Sequence, residues 1–327
     1  MIRAIGTVVI GRNEGERLCR CLESLSAAGL VVYVDSGSSD DSVACARSRG
    51  ANVVELDASI LFTAARARNE GFRRLLERDP KVTFVQFVDG DCELAPGWLE
   101  KGRRVLESGP ELAVVCGRCR ERHPDRSIYN RLCEIEWDQP IGQTDACGGI
   151  ALMRVSAVKQ VGGFNPDVLA AEDNEICLRL RRQGWKVQRI DAEMTVHDAD
   201  IRHFGQWWRR AVRGGYAFAQ GVHLHGAGPE RHFVRERRRA LLWGGVLPLA
   251  ALLAAWPTAG WSLLLALLYP LQMLRVYART RRRQVARPAA AAWAISCVAG
   301  KFAELCGICK FAVNRLARRN ARLIEYK

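Results

Sequence analysis

Five short apolar runs, at residues 5–10, 30–34, 53–56, 83–88 and 112–116, alternate with amphipathic stretches at 14–27, 41–49, 63–77 and 97–107. The runs have strand length and are rich in β-branched residues, whereas the stretches between them carry helical periodicity. Such alternation predicts an α/β fold with a mostly parallel sheet and helices on its faces. Ligands of these sheets gather outside the carboxyl ends of the strands. Polar clusters fall there: Gly11-Arg12-Asn13-Glu14 after the first run, Asp35-Ser36-Gly37-Ser38-Ser39-Asp40-Asp41 after the second, and Asp89-Gly90-Asp91 after the fourth.

Asp89 and Asp91 are two residues apart, so in extended backbone their side chains share a face, and Gly90 puts no bulk between them. Two carboxylates so arranged suit a hard cation, Mg2+ or Mn2+, which in turn neutralises a bound diphosphate. A plain strand-to-turn junction has the same composition, because Asp and Gly are turn residues.

At 327 residues the chain is long enough for about two structural units. Its net charge of +14 is unevenly divided: residues 201–327 carry 22 Lys and Arg against 4 Asp and Glu, whereas residues 1–200 are slightly acidic. Inside the basic part, the 35 residues 240–274 hold no charge and lie between Arg237-Arg238-Arg239 and Arg275. As one helix they would run roughly 52 Å, too long for a single span of ~30 Å and barely enough for two. Pro257-Thr258-Ala259-Gly260 interrupts them, which predicts a transmembrane or re-entrant hairpin of residues 240–256 and 261–274. A buried hydrophobic hairpin in a soluble protein is the alternative. Arginine clusters at both outer ends put those ends, and the domain before them, on the cytoplasmic side of a membrane, the inner membrane in a bacterium. Residues 289–313 are apolar but contain Lys301, Glu304 and Lys310, so an interfacial helix is expected, with the basic stretch 315–322 toward lipid headgroups. Basic residues flanking lipid-length apolar segments argue against a nucleic-acid partner.

Met1-Ile2-Arg3 leads directly into a strand pattern without the apolar core of a signal peptide, so the first domain is expected to stay in the cytoplasm. The twelve cysteines are accordingly expected as reduced thiols. Two Cys-X-X-Cys pairs, Cys116/Cys119 and Cys306/Cys309, have no histidine at finger spacing, and the spacing alone does not make a zinc site.

Taken in order, Val8-Val9-Ile10-Gly11-Arg12-Asn13-Glu14, Val34-Asp35-Ser36-Gly37-Ser38-Ser39-Asp40, Ala67-Arg68-Asn69, Val88-Asp89-Gly90-Asp91, Val161-Gly162-Gly163-Phe164 and Glu172-Asp173 resemble the motif series of family 2 glycosyltransferases over about residues 4–200. The resemblance implies a Rossmann-like GT-A fold and inverting transfer of a sugar from a nucleotide diphosphate donor to an acceptor hydroxyl, with a divalent metal on the diphosphate. It assigns Asp35 and the loop Arg12, Asn13 and Glu14 to the donor nucleoside. Arg68, with Arg66 as a lesser candidate, goes to the nucleotide or its phosphates. Asp89 lies on the ribose side and at the metal, Asp91 is the preferred direct metal ligand, and His197 is a third metal or phosphate contact, with a packed structural histidine as its alternative. Asp173, beside Glu172 at the start of an amphipathic helix, is the catalytic base; one base must take the acceptor proton as oxygen attacks the anomeric carbon. Cys147-Gly148-Gly149 resembles the small-residue stretch beneath the donor sugar, with a plain turn as the alternative.

Phe204-Gly205-Gln206-Trp207-Trp208-Arg209-Arg210 is similar to the Gln-X-X-Arg-Trp signature of processive members but has Arg210 where that signature has Trp. Trp207 and Trp208 are candidates for stacking an acceptor sugar and Arg209, Arg210 and Arg213 for holding a lipid diphosphate; anchoring an interfacial helix is the alternative for both sets. A second departure is Ile10, where many relatives have Pro. The expected organisation is a GT-A catalytic domain at 1–200, amphipathic basic helices at 201–239, the hairpin at 240–274 and a basic tail with an interfacial helix at 275–327. The expected activity is hexosyl or related sugar transfer to a lipid-linked or membrane-proximal glycan in envelope or exopolysaccharide assembly. Nucleotidyl transfer and a non-catalytic nucleotide-binding membrane scaffold are the other readings; Glu172-Asp173 argues against the former.

Overall fold

The computed structural model describes residues 5–26 and 28–317. Met1-Ile2-Arg3, Ala27 at the end of the first amphipathic stretch, and the tail from residue 318, with Arg318, Arg319 and Arg322, lie outside the described residues. The chain forms two compact units, residues 1–122 with 136–199 and residues 123–135 with 200–327.

The first unit runs β1 (Ile5–Gly11), α1 (Glu16–Ser24), β2 (Val31–Asp35), α2 (Ser42–Ser48), β3 (Asn52–Glu55), α3 (Ala64–Arg78), β4 (Phe84–Asp89), β5 (Cys92–Leu94), α4 (Trp98–Ser108) and β6 (Leu112–Glu121). After α5 (Ile128–Trp137), most of which belongs to the second unit, come β7 (Gly142–Gln143), β8 (Ala151–Arg154), α6 (Val155–Gln160), α7 (Glu172–Arg182) and β9 (Lys186–His197). The strands make one sheet in the order β3-β2-β1-β4-β8-β6-β9-β5, with β7 on β9. β3, β2, β1 and β4 are parallel, as the strand–helix alternation requires, while β8 runs antiparallel to both β4 and β6.

Helices cover both faces of the parallel part, which is why its strands read as continuous apolar runs; Val8, Val9, Val32, Val34, Phe87 and Val88 are fully enclosed. α3 starts at Thr63, whose side chain accepts the Arg66 N–H (3.1 Å), and it packs so closely that a Cβ on Gly71 would strike Val8 and Val34. A polar pair deep in the core is satisfied, Trp98 Nε1 donating to Gln86 Oε1 at 2.8 Å.

β6 outruns the expected strand by five residues, to Glu121. The extension alternates charged and small residues because Arg118 and Arg120 pair with Asp191 (2.7 Å) and Glu193 (3.2 Å) on β9, an exposed ladder that apolar counting misses. Cys19 of α1 and Cys45 of α2 form a disulfide, against the expectation of twelve reduced thiols, because these two helices pack side by side; the other ten cysteines are not in disulfides.

The second unit holds α8 (Phe204–His225), α9 (Val234–Leu241), a π-helical turn at Leu242–Val246, α10 (Leu247–Leu253), a 3-10 segment at Trp261–Leu267, α11 (Leu268–Arg282) and α12 (Arg287–Leu316). α8 and α12 approach until their backbones touch: a Cβ on Gly215 would strike the Glu304 carbonyl, and one on Gly307 the Val212 carbonyl. The helical boundaries over residues 240–282 differ from the expected arms at 240–256 and 261–274. The first helical stretch is broken by the π turn and ends at Leu253, while the second continues to Arg282, well past Leu274. The turn between them is open to solvent, with Trp256 94 % and Trp261 74 % exposed.

Among the described residues the stretches long and apolar enough to cross a membrane are Trp261–Arg282 and Arg287–Leu316. The second contains the segment expected to be interfacial. Its Lys301 and Glu304 pair with each other at 2.7 Å on a half-buried face, so two of the three charges that suggested an interface largely cancel, while Lys310 stays exposed.

Candidate active site

The carboxyl ends of β1, β2 and β4 carry the polar clusters. Asp35 closes β2 and is 2 % exposed. Its Oδ1 accepts from the hydroxyls of Tyr33 (2.8 Å) and Ser38 (2.5 Å), and its Oδ2 from the backbone N–H groups of Gly37 (2.9 Å) and Ser38 (2.8 Å). Four donors fill a carboxylate's acceptor sites. Burial, followed by the adjacent Asp35, pushes the Tyr33 hydroxyl far above its ordinary range, so it stays a donor. The turn alternative for Asp35 therefore holds as geometry, and a nucleobase N–H reaches this acid only by displacing one of the two rotatable hydroxyls.

The loop after β1 is strapped to the loop after β2. Asn13 has φ of 54°; its N–H donates to Ser38 Oγ (2.9 Å) and its Oδ1 accepts the Ser39 N–H (2.7 Å). The N–H groups of Glu14 and Gly15 both donate to Ser42 Oγ, at 3.2 and 3.1 Å, and the Glu14 carboxylate pairs with Arg17 (2.8 Å). Arg12 lies 5.8 Å from the Phe62 ring centre and Arg66 5.9 Å. Arg66 also donates to the carbonyls of Ile60 (2.7 Å) and Asp57 (3.1 Å), which fixes the loop that carries Phe62.

Arg68 departs from its assignment to the nucleotide. Its side chain is 2 % exposed and bridges two acids, Asp89 Oδ1 at 2.7 Å and Glu172 Oε1, and also donates to the Gly149 carbonyl at 3.2 Å. The reason is electrostatic. β4 and α7 bring two carboxylates together inside the unit, and a guanidinium held between them offsets the cost of burying each one. Gly149 is small for the same reason, since a Cβ there would come within 2.8 Å of Arg68 Nη2 and 3.1 Å of Asp89 Oδ2. Gly148 has φ of 79°, a conformation that favours glycine, with open space where a Cβ would stand.

Asp173 sits in the first turn of α7, after Ala171, whose φ of 61° turns the chain sharply into the helix. Asn174 Nδ2 donates to its Oδ2 at 3.2 Å. Burial and the neighbouring Glu172 raise its carboxyl from the ordinary 3.8 to about 6, against the opposing pull of Arg68 and the helix N–H groups. An acid so tuned is ionised at neutral pH yet basic enough to hold a proton.

Asp91 is buried, and long-range pairing supplies its neighbours. Its Oδ2 lies 3.1 Å from His197 Nε2 and its Oδ1 3.3 Å from Cys92 Sγ. β5 and β9 set Cys92 opposite His197, and the ring of Trp137 stacks on His197 with centres 4.5 Å apart and planes 11° apart. The ligand atoms of Asp91, Cys92 and His197 all lie within 4.8 Å of one another. Asp89 keeps its second oxygen free of Arg68 and is a third exposed at its side chain. Two carboxylates and an imidazole are donors that a divalent cation accepts.

Trp207, Trp208, Arg209 and Arg210 belong to α8 in the second unit. Trp207 stacks on Tyr129, with centres 6.3 Å apart, and both tryptophans lean on the exposed Phe204 at 5.5 and 5.7 Å. Motifs did not point to Tyr33, Phe62, Cys92 or Trp137, which the structure sets beside the candidate residues. Tyr33 carried a signal, standing two residues before Asp35 on the same strand face. Trp137 had none, because its partner lies sixty residues away.

A mostly parallel sheet with acids at its carboxyl ends, extended by antiparallel strands and followed by a helix that opens on Glu-Asp, defines a GT-A-like transferase domain. Two family models match the chain: Glycosyl transferase family 2 over residues 7–162 and Glycosyl transferase family group 2 over residues 136–303. The protein belongs to the family 2 glycosyltransferases. It is 23 % identical to glycosyltransferase AglE of Haloferax volcanii over 64 % of this chain and 71 % of AglE. It is 27 % identical to the pre-mycofactocin glycosyltransferase of Mycobacterium tuberculosis over 66 % of this chain; there it spans about half of the relative, 47 %. Among solved structures it is similar in fold to the mannosyltransferase PcManGT of Pyrobaculum calidifontis, in complex with GDP-Man and Mn2+. The TM-score is 0.58 at 21 % identity, over 90 % of this chain and 86 % of that one.

Proposed function

We propose that the chain is an inverting glycosyltransferase that moves a hexose or related sugar from a nucleoside diphosphate sugar to a lipid-linked or membrane-proximal glycan, as in envelope or exopolysaccharide assembly. The observation that carries this reading is one hydrogen-bonded array. Glu172, which precedes Asp173 at the start of α7, is joined through Arg68 to Asp89, the first acid of Asp89-Gly90-Asp91. The helix turn that carries Asp173 and the first acid of the cation-holding pair are thereby tied to one arginine, which supports the constant separation that in-line displacement needs.

Asp173 accepts the acceptor hydroxyl proton as its oxygen attacks the anomeric carbon. Asp91, Asp89 and His197 fit a divalent cation, Mn2+ or Mg2+, by their donor set; bound there, it would offset the charge of the departing diphosphate. Asp35 and the loop Arg12, Asn13 and Glu14 bound the nucleoside, with Phe62 a flat surface between two arginines for the base. Arg68 is a positioning residue for Asp89 and Glu172 rather than a phosphate ligand. Gly148 and Gly149 leave room beneath the donor sugar. Trp207 and Trp208 stack an acceptor sugar while Arg209, Arg210 and Arg213 hold a lipid diphosphate.

The domain assignment follows: a catalytic domain over residues 1–200, basic helices at 201–239, the hairpin at 240–274 and the segment 275–327 at the membrane, with the catalytic domain on the cytoplasmic side. The exposed Trp256 and Trp261 at the hairpin tip support membrane docking, since tryptophans favour the headgroup level. The test is a screen of nucleotide sugars with purified full-length protein in lipid, beginning with GDP-mannose, for cation-dependent donor hydrolysis and transfer. Release of nucleoside diphosphate is expected. Release of pyrophosphate, or no turnover with any donor by folded protein supplied with lipid acceptors, overturns the reading.

A further inference from the structure

Asn69 follows Arg68 on α3 and grips the turn Val161-Gly162-Gly163-Phe164 between α6 and α7. Its Nδ2 donates to the Phe164 carbonyl at 2.7 Å, and its Oδ1 accepts the Phe164 N–H at 2.8 Å. One side chain thus meets both backbone groups of one residue, as a neighbouring strand would. Arg179 of α7 holds the same turn, donating to the carbonyls of Val161 and Gly163 (2.7 Å) while Glu175 holds its guanidinium at 2.8 Å. Gly163, with φ of 78°, leaves the space the grip needs, since a Cβ there would come within 2.6 Å of Asn69 Oδ1. The turn delivers one buried ring. Phe164 meets Phe87 edge-on, with centres 5.1 Å apart, and the Arg68 guanidinium carbon lies 5.6 Å from the Phe164 ring centre.

The Arg68 guanidinium is anchored at its two ends, Nη1 on Glu172 and Nη2 on Asp89 and the Gly149 carbonyl, while its Nε is buried with no hydrogen-bond partner among the described residues. A ring against this buried cation adds a cation–π contact and limits its tilt about the two anchored ends. We propose that Asn69 is a positioning residue for sugar transfer: by clamping Phe164 it sets the Arg68 guanidinium, and through Glu172 the first turn of α7, which carries Asp173. The inference rests on the proposed function, in which Asp173 takes the acceptor proton. Asn69 is no donor ligand in that reading, so its loss slows the chemical step and spares donor binding. The effect is large because a base misplaced by on the order of 1 Å can cost about a hundredfold in rate.

Full-length protein in lipid, assayed for donor turnover and, by calorimetry, for donor binding, tests the role. Asn69→Ala should lower kcat by about tenfold or more and leave the donor Kd within about threefold. Asn69→Asp keeps the bond from the Phe164 N–H and loses the one to the carbonyl; it should fall between, and it carries the test if Asn69→Ala does not fold. Phe164→Leu, which keeps an apolar side chain and loses the ring, should lower kcat similarly. Combined with Asn69→Ala it should cost no more than the worse single change, because both act through one ring. Trp98→Phe, which breaks the Trp98–Gln86 bond elsewhere in the same core, should leave kcat unchanged. Four results overturn the inference: unchanged kcat in Asn69→Ala, equal losses of donor affinity and kcat, multiplying effects in the double variant, or a like fall of kcat in Trp98→Phe. No turnover of any donor by the wild-type protein overturns the proposed function and this inference with it, whereas wild-type turnover that Asn69→Ala leaves intact overturns this inference alone.

Discussion

The strand ends of β2 and β4 both present acids to the same edge of the sheet, yet they are built in opposite ways. Asp35 draws all four of its hydrogen-bond donors from residues 33–38, within its own turn. Asp89 and Asp91 draw theirs chiefly from Arg68 and His197, 21 and 106 residues away. A locally saturated acid is a structural fixture that orders a loop. An acid whose partners arrive from other elements is one whose geometry depends on the whole fold.

Removing the proposed base should have the largest effect. Asp173→Asn is expected to lower kcat by about 10²–10⁴-fold while donor affinity stays within a few-fold, read by turnover and by calorimetric titration of donor. Retained kcat would sever α7 from the chemistry. Next comes the arginine that joins the β4 end to α7. Arg68→Met leaves Glu172 and Asp89 without their buried counter-charge and should cost about 3–5 kcal/mol in unfolding free energy, measured by urea denaturation. A loss below ~1 kcal/mol would mean that the two acids do not depend on each other.

The pH profile sharpens the comparison further. Asp173 must be ionised to act, so kcat/KM should fall about tenfold per unit as pH drops below about 6. Over that window the folded state binds more protons than the unfolded one, because the folded carboxyl titrates higher than 3.8, so this group's contribution to stability declines as pH rises through about 6. A flat profile down to pH 5 would remove Asp173 from the role of base. The smallest effect belongs to the self-contained end: Tyr33→Phe deletes one of four donors to Asp35 and should cost about 1–2 kcal/mol, with little change in kcat.

The same contrast explains what could be read from the chain beforehand. The parallel strands and their helices were legible within a residue or two at most boundaries, because apolar period and burial report the same thing. The ladder of Arg118 and Arg120 was not, since an exposed strand with charged residues has no apolar signature. Ordered motifs point to Asp89, Asp91 and Asp173, and the structure adds their surroundings: Arg68 at Asp89, His197 at Asp91 and Asn174 at Asp173. Arg68 was found as important but given the wrong surroundings, because a motif marks a position and not the direction of a side chain. Cys92 had no signal in the sequence, and only β-sheet register sets it opposite a histidine far along the chain. The uncharged stretch 240–274 marks where helices lie; the π turn at Leu242–Val246 has no signature in the charge pattern.

The glycine contacts between α8 and α12 fix more than proximity. Gly215 meets the Glu304 carbonyl and Gly307 meets the Val212 carbonyl, so each helix supplies one notch for the other's backbone. Sliding either helix by a residue, or turning it by one position, would drive a side chain into a gap that holds none. The seam therefore acts as a key with one seating, and any signal passing between these two helices must travel as movement of the pair, not as slippage within it.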